Sequence, residues 1–339
     1  LYVTTPDAYI SKDGSNIVVS TSGQERFRIP VSNIESIYTF GYQGASPGVM
    51  KLCADNGVAL SFFSPHGRFI ARLQGPVRGN IMLRSRQYEI VGAPLARQFA
   101  ALFVSGKIYN SRVTLRRFIR DYPQRSGTNE VESTTRRLKH MCATIHNADD
   151  SDHIRGIEGE AAALYFKAFP HLILNNDFTF DTRTRRPPTD MVNAMLSLGY
   201  ALLANDCASA LEGVGLDPAA GFLHTMRAGR NSLALDIMEE MRSYIVDRLV
   251  LSLINNRQVS RSDFKLHSST DNTTPTPVLF NEAGIKKFLS AWQAKKKTEI
   301  THPFLNEKIK IGLLPHIQAL LLARAIRGDL DSYPVFFAK

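Results

Sequence analysis

Near Gly79 the hydrophobic pattern changes period, and that change constrains the fold more than any single motif does. Before it, short β-branched and aromatic runs such as Asn16 to Ser20, Ile34 to Phe40 and Ala59 to Phe63 are broken by Asp13-Gly14, Ser22-Gly23 and His66-Gly67. Strands of this length with D-G at a turn predict an antiparallel β domain over residues 1–79. One helix interrupts it at Pro47 to Asn56, with proline at its start and Asn-Gly at its end. Beyond Gly79 the apolar residues recur at helical spacing. Helices are expected at Asn80 to Tyr88, Ala93 to Arg120, Val131 to Asn147, after Thr189-Asp190, after Asn231, from Asn281 through Trp292, and at Pro303 to Arg327. The fold class is therefore α+β, an N-terminal antiparallel β domain (1–79) followed by an all-α domain (80–339). Phe264 to His267 and Pro277 to Phe280 read as a small hairpin around a polar tip.

Composition narrows the partners. The 339 residues carry a formal charge of +10 and a pI near 9.6, which favours a polyanion, most simply nucleic acid. Cys53, Cys142 and Cys207 are widely spaced and form no C-x-x-C, so neither a disulfide framework nor a zinc knuckle is indicated. No apolar run is read as approaching the ~20 residues of a membrane span and no signal peptide opens the chain, so a cytoplasmic protein is expected. A G-x-x-x-x-G-K-[ST] loop is absent, which leaves nucleotide hydrolysis without support.

Two stretches bring chemistry together. In Gly221 to Arg242, His224 precedes a polar turn and then a helix whose Leu233, Ile237, Met241 and Ile245 form a buried face. Asp236 and Glu239 lie about 60° apart around its axis, so both can lean toward one point. Far earlier, Glu158 stands between Gly156 and Gly159, ahead of an alanine-rich helical run. Glu158, His224 and one of Asp236 or Glu239 make a mixed carboxylate and imidazole set that suits Mg²⁺ or Mn²⁺ better than structural zinc. A solvated acidic helix face is the competing reading.

R-G-I-E-G followed by A-A-x-x-Y-F, then G-F-L-H-T, then S-L-A-L-D-I-M-E-E together resemble the CRISPR-associated integrase, the universal enzyme of the adaptation module. The resemblance implies metal ligands at Glu158, His224 and Glu239, with Asp236 auxiliary one turn before and Glu240 outside the matched position. R-P-P-x-D-x-x-N-A-x-L-S extends it and implies that Asn193 and Ser197 support the site. It further implies a homodimer, DNA as substrate, a small ferredoxin-like adaptation partner, and Mg²⁺ or Mn²⁺ as cofactor. The expected activity is joining of DNA 3′-hydroxyl ends into a CRISPR array and cleavage of branched DNA. T-T-P-D-A-Y and G-P-V-R-G-N look most like the type I-C branch. A hydrolytic nuclease and a non-catalytic nucleic-acid scaffold remain alternatives.

Basic residues supply the remaining expectations. Arg112, Arg116 and Arg120 fall at i, i+4 and i+8, which aligns three guanidinium groups for a phosphate backbone. Arg227 and Arg230, beside His224, are candidates for holding the scissile strand. Lys295-Lys296-Lys297 reads equally as a solvated run or a DNA contact.

Overall fold

The computed structural model describes residues 1–5, 7–76, 79–266 and 276–338. The N-terminal part contains β1 (Tyr2–Val3), β2 (Ala8–Asp13), β3 (Asn16–Thr21), β4 (Gln24–Pro30), β5 (Ser36–Phe40), helix α1 (Pro47–Asn56), β6 (Ala59–Phe63) and β7 (Phe69–Leu73). Helix α1 has the predicted bounds: Ser46 accepts the Val49 N–H at its start, and Gly57 at φ 67° ends it. Strands β2, β3 and β4 form the expected antiparallel sheet. The second sheet, ordered β1-β5-β6-β7, corrects the antiparallel expectation, because β1, β5 and β6 run parallel and only β7 is reversed. The cause is α1. A helix between β5 and β6 carries the chain back to the end where β5 began, and parallel neighbours need such a crossover.

Strands β5 and β6 of this sheet are buried on both faces. Ile37 and Leu60 pack with Ile10, Ile17, Val49 and Cys53 in the N-terminal cluster, whereas Tyr38, Phe40 and Phe63 join the large core of the helical part. Alternation along a strand divides the two cores. The Tyr38 hydroxyl donates to Asp206 at 2.6 Å, and Lys296 pairs with the same carboxylate at 2.8 Å, so a polar tie crosses the same seam.

The helical part comprises α2 (Ile81–Ile90), α3 (Pro94–Asp121), α4 (Thr128–Thr144), α5 (Ser151–Ala168), α6 (Met191–Gly213), α7 (Ser232–Glu239), α8 (Arg248–Asn255), α9 (Glu282–Lys297) and α10 (Leu314–Arg327). It is not all-α. Strands β8 (Phe264–Leu266) and β9 (Val278–Phe280) form the expected hairpin, whose tip lies outside the described residues. A second hairpin, β10 (Glu299–Thr301) with β11 (Lys308–Lys310), replaces the helix expected from Pro303. Buried His302 organises that turn by accepting the Leu305 N–H and meeting Gln318, and Asn306 adopts φ 56°. Helix formation starts only at Leu314.

Helix α6 also departs from expectation, since it has the length and composition of a membrane span, with a mean hydropathy of 1.2 over its most apolar window. Yet 72% of that window is buried inside the protein, so it is the central helix of the core.

Candidate metal centre

The middle of α3 is where the scattered motifs meet. Gly106 lets this happen: a Cβ there would stand 2.5 Å from Val335 and 2.8 Å from the Cβ of Glu240, so only glycine admits α7 and the C-terminal segment this close. The neighbouring Lys107 is buried and reaches across the gap. Its ammonium contacts Glu158 Oε1 on α5 and Glu239 Oε2 on α7, the latter at 2.8 Å. Glu158 and Glu239, 81 residues apart in sequence, thus share one cation.

His224 enters from the loop before α7. Asp236 holds that loop, accepting the backbone N–H groups of Phe222, Leu223 and His224 at 2.6, 3.0 and 2.9 Å. Its Oδ1 also stands 2.7 Å from His224 Nδ1. A carboxylate there keeps the ring proton on Nδ1 and leaves the Nε2 lone pair free. Nε2 faces Glu239 Oε1 at 4.0 Å. Gly221 is the enabling residue, since a Cβ would come within 2.9 Å of Asp236 Oδ2. Gln87 on α2 steadies the preceding turn by donating to the carbonyls of Asp217 and Ala220.

Asp236 is fully buried and all its bonds serve the loop, whereas Glu239 points to the shared centre. The two acids do not lean toward one point. One turn of helix separates a carboxylate that builds the loop from one that faces Lys107.

Glu239 is heavily compensated. Burial alone would raise its carboxyl, but Arg242, Lys107 and His224 pull it down to about 2. Arg242 Nη1 lies 2.9 Å from Oε1 and 3.1 Å from Oε2. Behind it the guanidinium rests 4.3 Å from the centre of the Tyr200 ring, and the hydroxyls of Tyr200 and Tyr165 both donate to Asp247. Arg242 and Asp247 are placed by a helical irregularity: α7 stops at Glu239, and a π-helical turn at Ser243–Asp247 leads into α8. Such widened turns often sit at functional sites.

Asn193 and Ser197 lie one layer further out. Asn193 accepts from Arg183 at 2.8 Å and from the Thr184 N–H at 3.0 Å, while Ser197 accepts from Arg183 at 3.2 Å. Arg183 then stands 5.4 Å from the centre of the Tyr200 ring that Arg242 also uses. Both residues are thus linked to Arg242 through Arg183 and Tyr200, with no hydrogen bond to Glu158 or Glu239 among the described residues.

The donor set fits a hard divalent cation. Two carboxylates and an imidazole nitrogen converge, and the ammonium of Lys107 already holds a positive charge between the acids. Among the described residues, no three acid, histidine or cysteine side chains stand at ligating distance as they lie, because Lys107 fills the space between them. Among the described residues, neither Gly156 nor Gly159 would meet any atom within 4 Å if given a Cβ, so the helix surface at these two positions is open. Nothing local in the sequence marks Lys107 or Arg242 as part of the centre.

The arginines of α3 are not equivalent. Arg116 and Arg120 are exposed, but Arg112 is half-buried with an Nε that has no hydrogen-bond partner among the described residues. Arg227 is exposed and Arg230 half-buried on the turn beside His224. Replacing Arg116 and Arg120 with alanine is expected to weaken binding to DNA of any sequence and to lower the slope of log K against log salt by roughly 0.9 for each phosphate no longer neutralised. An unchanged slope in an anisotropy titration would return both to a solvated face.

Comparison with known proteins assigns the chain. The family model described as CRISPR associated protein Cas1 matches residues 1–294. A CRISPR-associated endonuclease Cas1 of Chlorobaculum tepidum is 47% identical, with 99% of this chain and 97% of its own length covered. One from Rhodospirillum rubrum is 45% identical, covering 100% and 98%. A Cas1 protein from Thermotoga maritima shares the fold with a TM-score of 0.80 at 23% identity, covering 100% of this chain and 99% of its own. A casposase bound to integration product does so at 0.84 and 22%, covering 100% and 93%. With the family model spanning most of the chain and relatives this similar over nearly its whole length, the protein belongs to the CRISPR-associated Cas1 family.

Proposed function

We propose that this protein is a metal-dependent DNA integrase and endonuclease of CRISPR adaptation, which joins the 3′-hydroxyl ends of short DNA into an array and cleaves branched DNA. The observation that carries the reading is the pairing of Glu158 and Glu239 on the one buried Lys107 ammonium, with His224 Nε2 facing Glu239 at 4.0 Å. Glu158, His224 and Glu239 would hold Mg²⁺ or Mn²⁺, which supplies charge stabilisation at a phosphodiester and a lowered pKa for an attacking hydroxyl or water. Asp236 keeps His224 in the tautomer that presents Nε2, and Arg242 fixes the rotamer of Glu239. Arg227 and Arg230 would hold the scissile strand, and Arg116 and Arg120 the flanking duplex. The endonuclease names of the relatives support the activity, and the type I-C branch remains our reading of T-T-P-D-A-Y.

Residues 1–79 would form a dimerisation lobe and 80–339 the catalytic part. Tyr9, Phe27, Phe69 and Ile70, exposed on β2, β4 and β7, favour a homodimer surface on that lobe. A small ferredoxin-like adaptation partner and a cytoplasmic location complete the proposal, and the similarity of the fold to Cas1 in a Cas6-RT-Cas1–Cas2 complex supports such a partner.

The test is a titration with Mn²⁺ or Mg²⁺ followed by thermal unfolding. A saturable rise in unfolding temperature is expected, as for any ion that binds only the folded state, and Glu239→Gln should remove it. Lys107→Met should lower stability without metal, by leaving two carboxylates uncompensated, and enlarge the metal-induced rise. A non-catalytic scaffold gives no saturable rise in any of these proteins.

A further inference from the structure

The three lysines at the end of α9 separate in space. Lys296 pairs with Asp206 and Lys297 points to solvent, but Lys295 turns into a recess of about 450 Å³ between α3, α8 and α9. Arg117 and Arg248 line the same recess. Arg248 stands 4.6 Å and Lys295 5.4 Å from the centre of one ring, Tyr244, so two cations share a single aromatic ring. Neither forms an ion pair with a carboxylate among the described residues. The acid on the wall, Asp121, is already bound by Arg117 at 3.4 Å and Arg120 at 3.0 Å.

This arrangement is unfavourable by itself. Burial, then Arg248 and Arg117, push the Lys295 ammonium down to about 8, and burial also lowers Arg248. Three cations converging on a cavity without a free counter-charge cost stability, and such local conflicts mark places where function overrides folding. The cavity has the size of a small-molecule site, and guanidinium groups match phosphate oxygens. Arg117 lies ten residues beyond Lys107 on α3, about 15 Å along the axis, so the recess is separate from the metal centre.

We propose that the recess formed by Arg117, Arg248 and Lys295 is a second anion site, built to bind a phosphate group. The phosphate comes from a nucleic-acid strand or from a free phosphate compound, and the experiment distinguishes these sources. It does not rest on the metal-centre reading.

The full chain in EDTA is unfolded thermally in inorganic phosphate and in chloride at equal ionic strength, and its binding to a short single-stranded oligodeoxynucleotide is followed by anisotropy. Phosphate is expected to raise the unfolding temperature by a few degrees more than chloride does. Lys295→Gln should abolish that difference, Lys295→Arg should retain it, and in chloride Lys295→Gln should unfold at the same or a higher temperature, because a repelled charge is gone. If the oligonucleotide then binds roughly tenfold more weakly, with a salt slope lower by about 0.7, the phosphate belongs to a strand. If its binding is unchanged while the phosphate effect is lost, the ligand is a free phosphate compound. Wild-type protein that shows no phosphate-specific stabilisation, and oligonucleotide binding equal to that of Lys295→Gln, overturns the proposal. So does a Lys295→Gln protein less stable in chloride, since the lysine would then be structural. No metal or cleavage enters these readouts, so they succeed or fail independently of the integrase reading.

Discussion

Glu158→Gln, His224→Ala and Glu239→Gln are each expected to reduce joining and cleavage of branched DNA by at least about a hundredfold while leaving a folded protein. Glu158 and Glu239 meet on Lys107 and His224 Nε2 faces Glu239, and a proposed site with so few donors cannot lose one and retain its geometry. Their effects should not add, so the triple variant should be no worse than the most damaged single one. Asp236→Asn is expected to be as damaging by a different route. It weakens the acceptors for three backbone N–H groups and the partner of His224 Nδ1, so the loop and the imidazole tautomer both change. Unchanged activity in Glu239→Gln, measured under single-turnover conditions, would remove that residue from the centre.

The neighbouring acid carries the second large effect. From motif position alone Glu240→Ala is expected to do much less than Glu239→Ala, and for chemistry that still holds. For the fold it does not. Glu240 is fully buried and accepts from Gln318, from the Tyr333 hydroxyl and from the Phe336 N–H, which together pin the C-terminal segment against α3. Alanine would leave several buried donors without an acceptor, a loss of about 3–5 kcal/mol. Calorimetry or denaturant unfolding should show that loss.

Glu240 also makes stability depend on pH. Burial pushes its carboxyl up to about 7, against the hydrogen bonds donated to it. With the unfolded value near 4.5, the folded protein holds the proton more tightly. The stability contributed is therefore fully present below pH 4.5 and lost as pH rises through 7, by roughly 3 kcal/mol. Glu239 acts with the opposite sign, because its depressed carboxyl stabilises above pH 4.5 and that contribution is lost as pH falls toward 2. Glu240→Gln should flatten the loss between pH 4.5 and 7 relative to wild type. An identical slope in the variant would assign the dependence elsewhere.

These two adjacent glutamates show what a single sequence can and cannot convey. Glu158, His224 and Glu239 stand out in the sequence because each sits in a short motif with distinctive neighbours. The division of labour between Asp236 and Glu239 was not, because helical spacing gives an angle around the axis but not what lies opposite. From the sequence Lys107 is indistinguishable from the exposed basic residues of α3, and only Gly106 and the approach of α7 set it apart. The strands and most helices followed from periodicity and caps, as at Ser46, Asp190 and Asn281. Parallel pairing of β5 with β6 is set by the path of α1, and the hairpin at Glu299–Lys310 by the buried bonds of His302, neither of which leaves a periodic trace.

The central claim is that a DNA 3′-end, rather than water alone, attacks the phosphodiester. In that exchange a new bond forms between the donor 3′-oxygen and phosphorus while the target strand's own bond to phosphorus breaks, its oxygen leaving with a proton, so no nucleotide is consumed. The direct measurement supplies a branched or supercoiled target, Mn²⁺ or Mg²⁺, and short duplexes ending either in a 3′-hydroxyl or as 3′-dideoxy, and quantifies covalent joints on a denaturing gel. The hydroxyl donor is expected to give joined product that disappears with Glu239→Gln, and the dideoxy donor to give none while hydrolytic nicking persists. Equal joining from both donors would contradict the account.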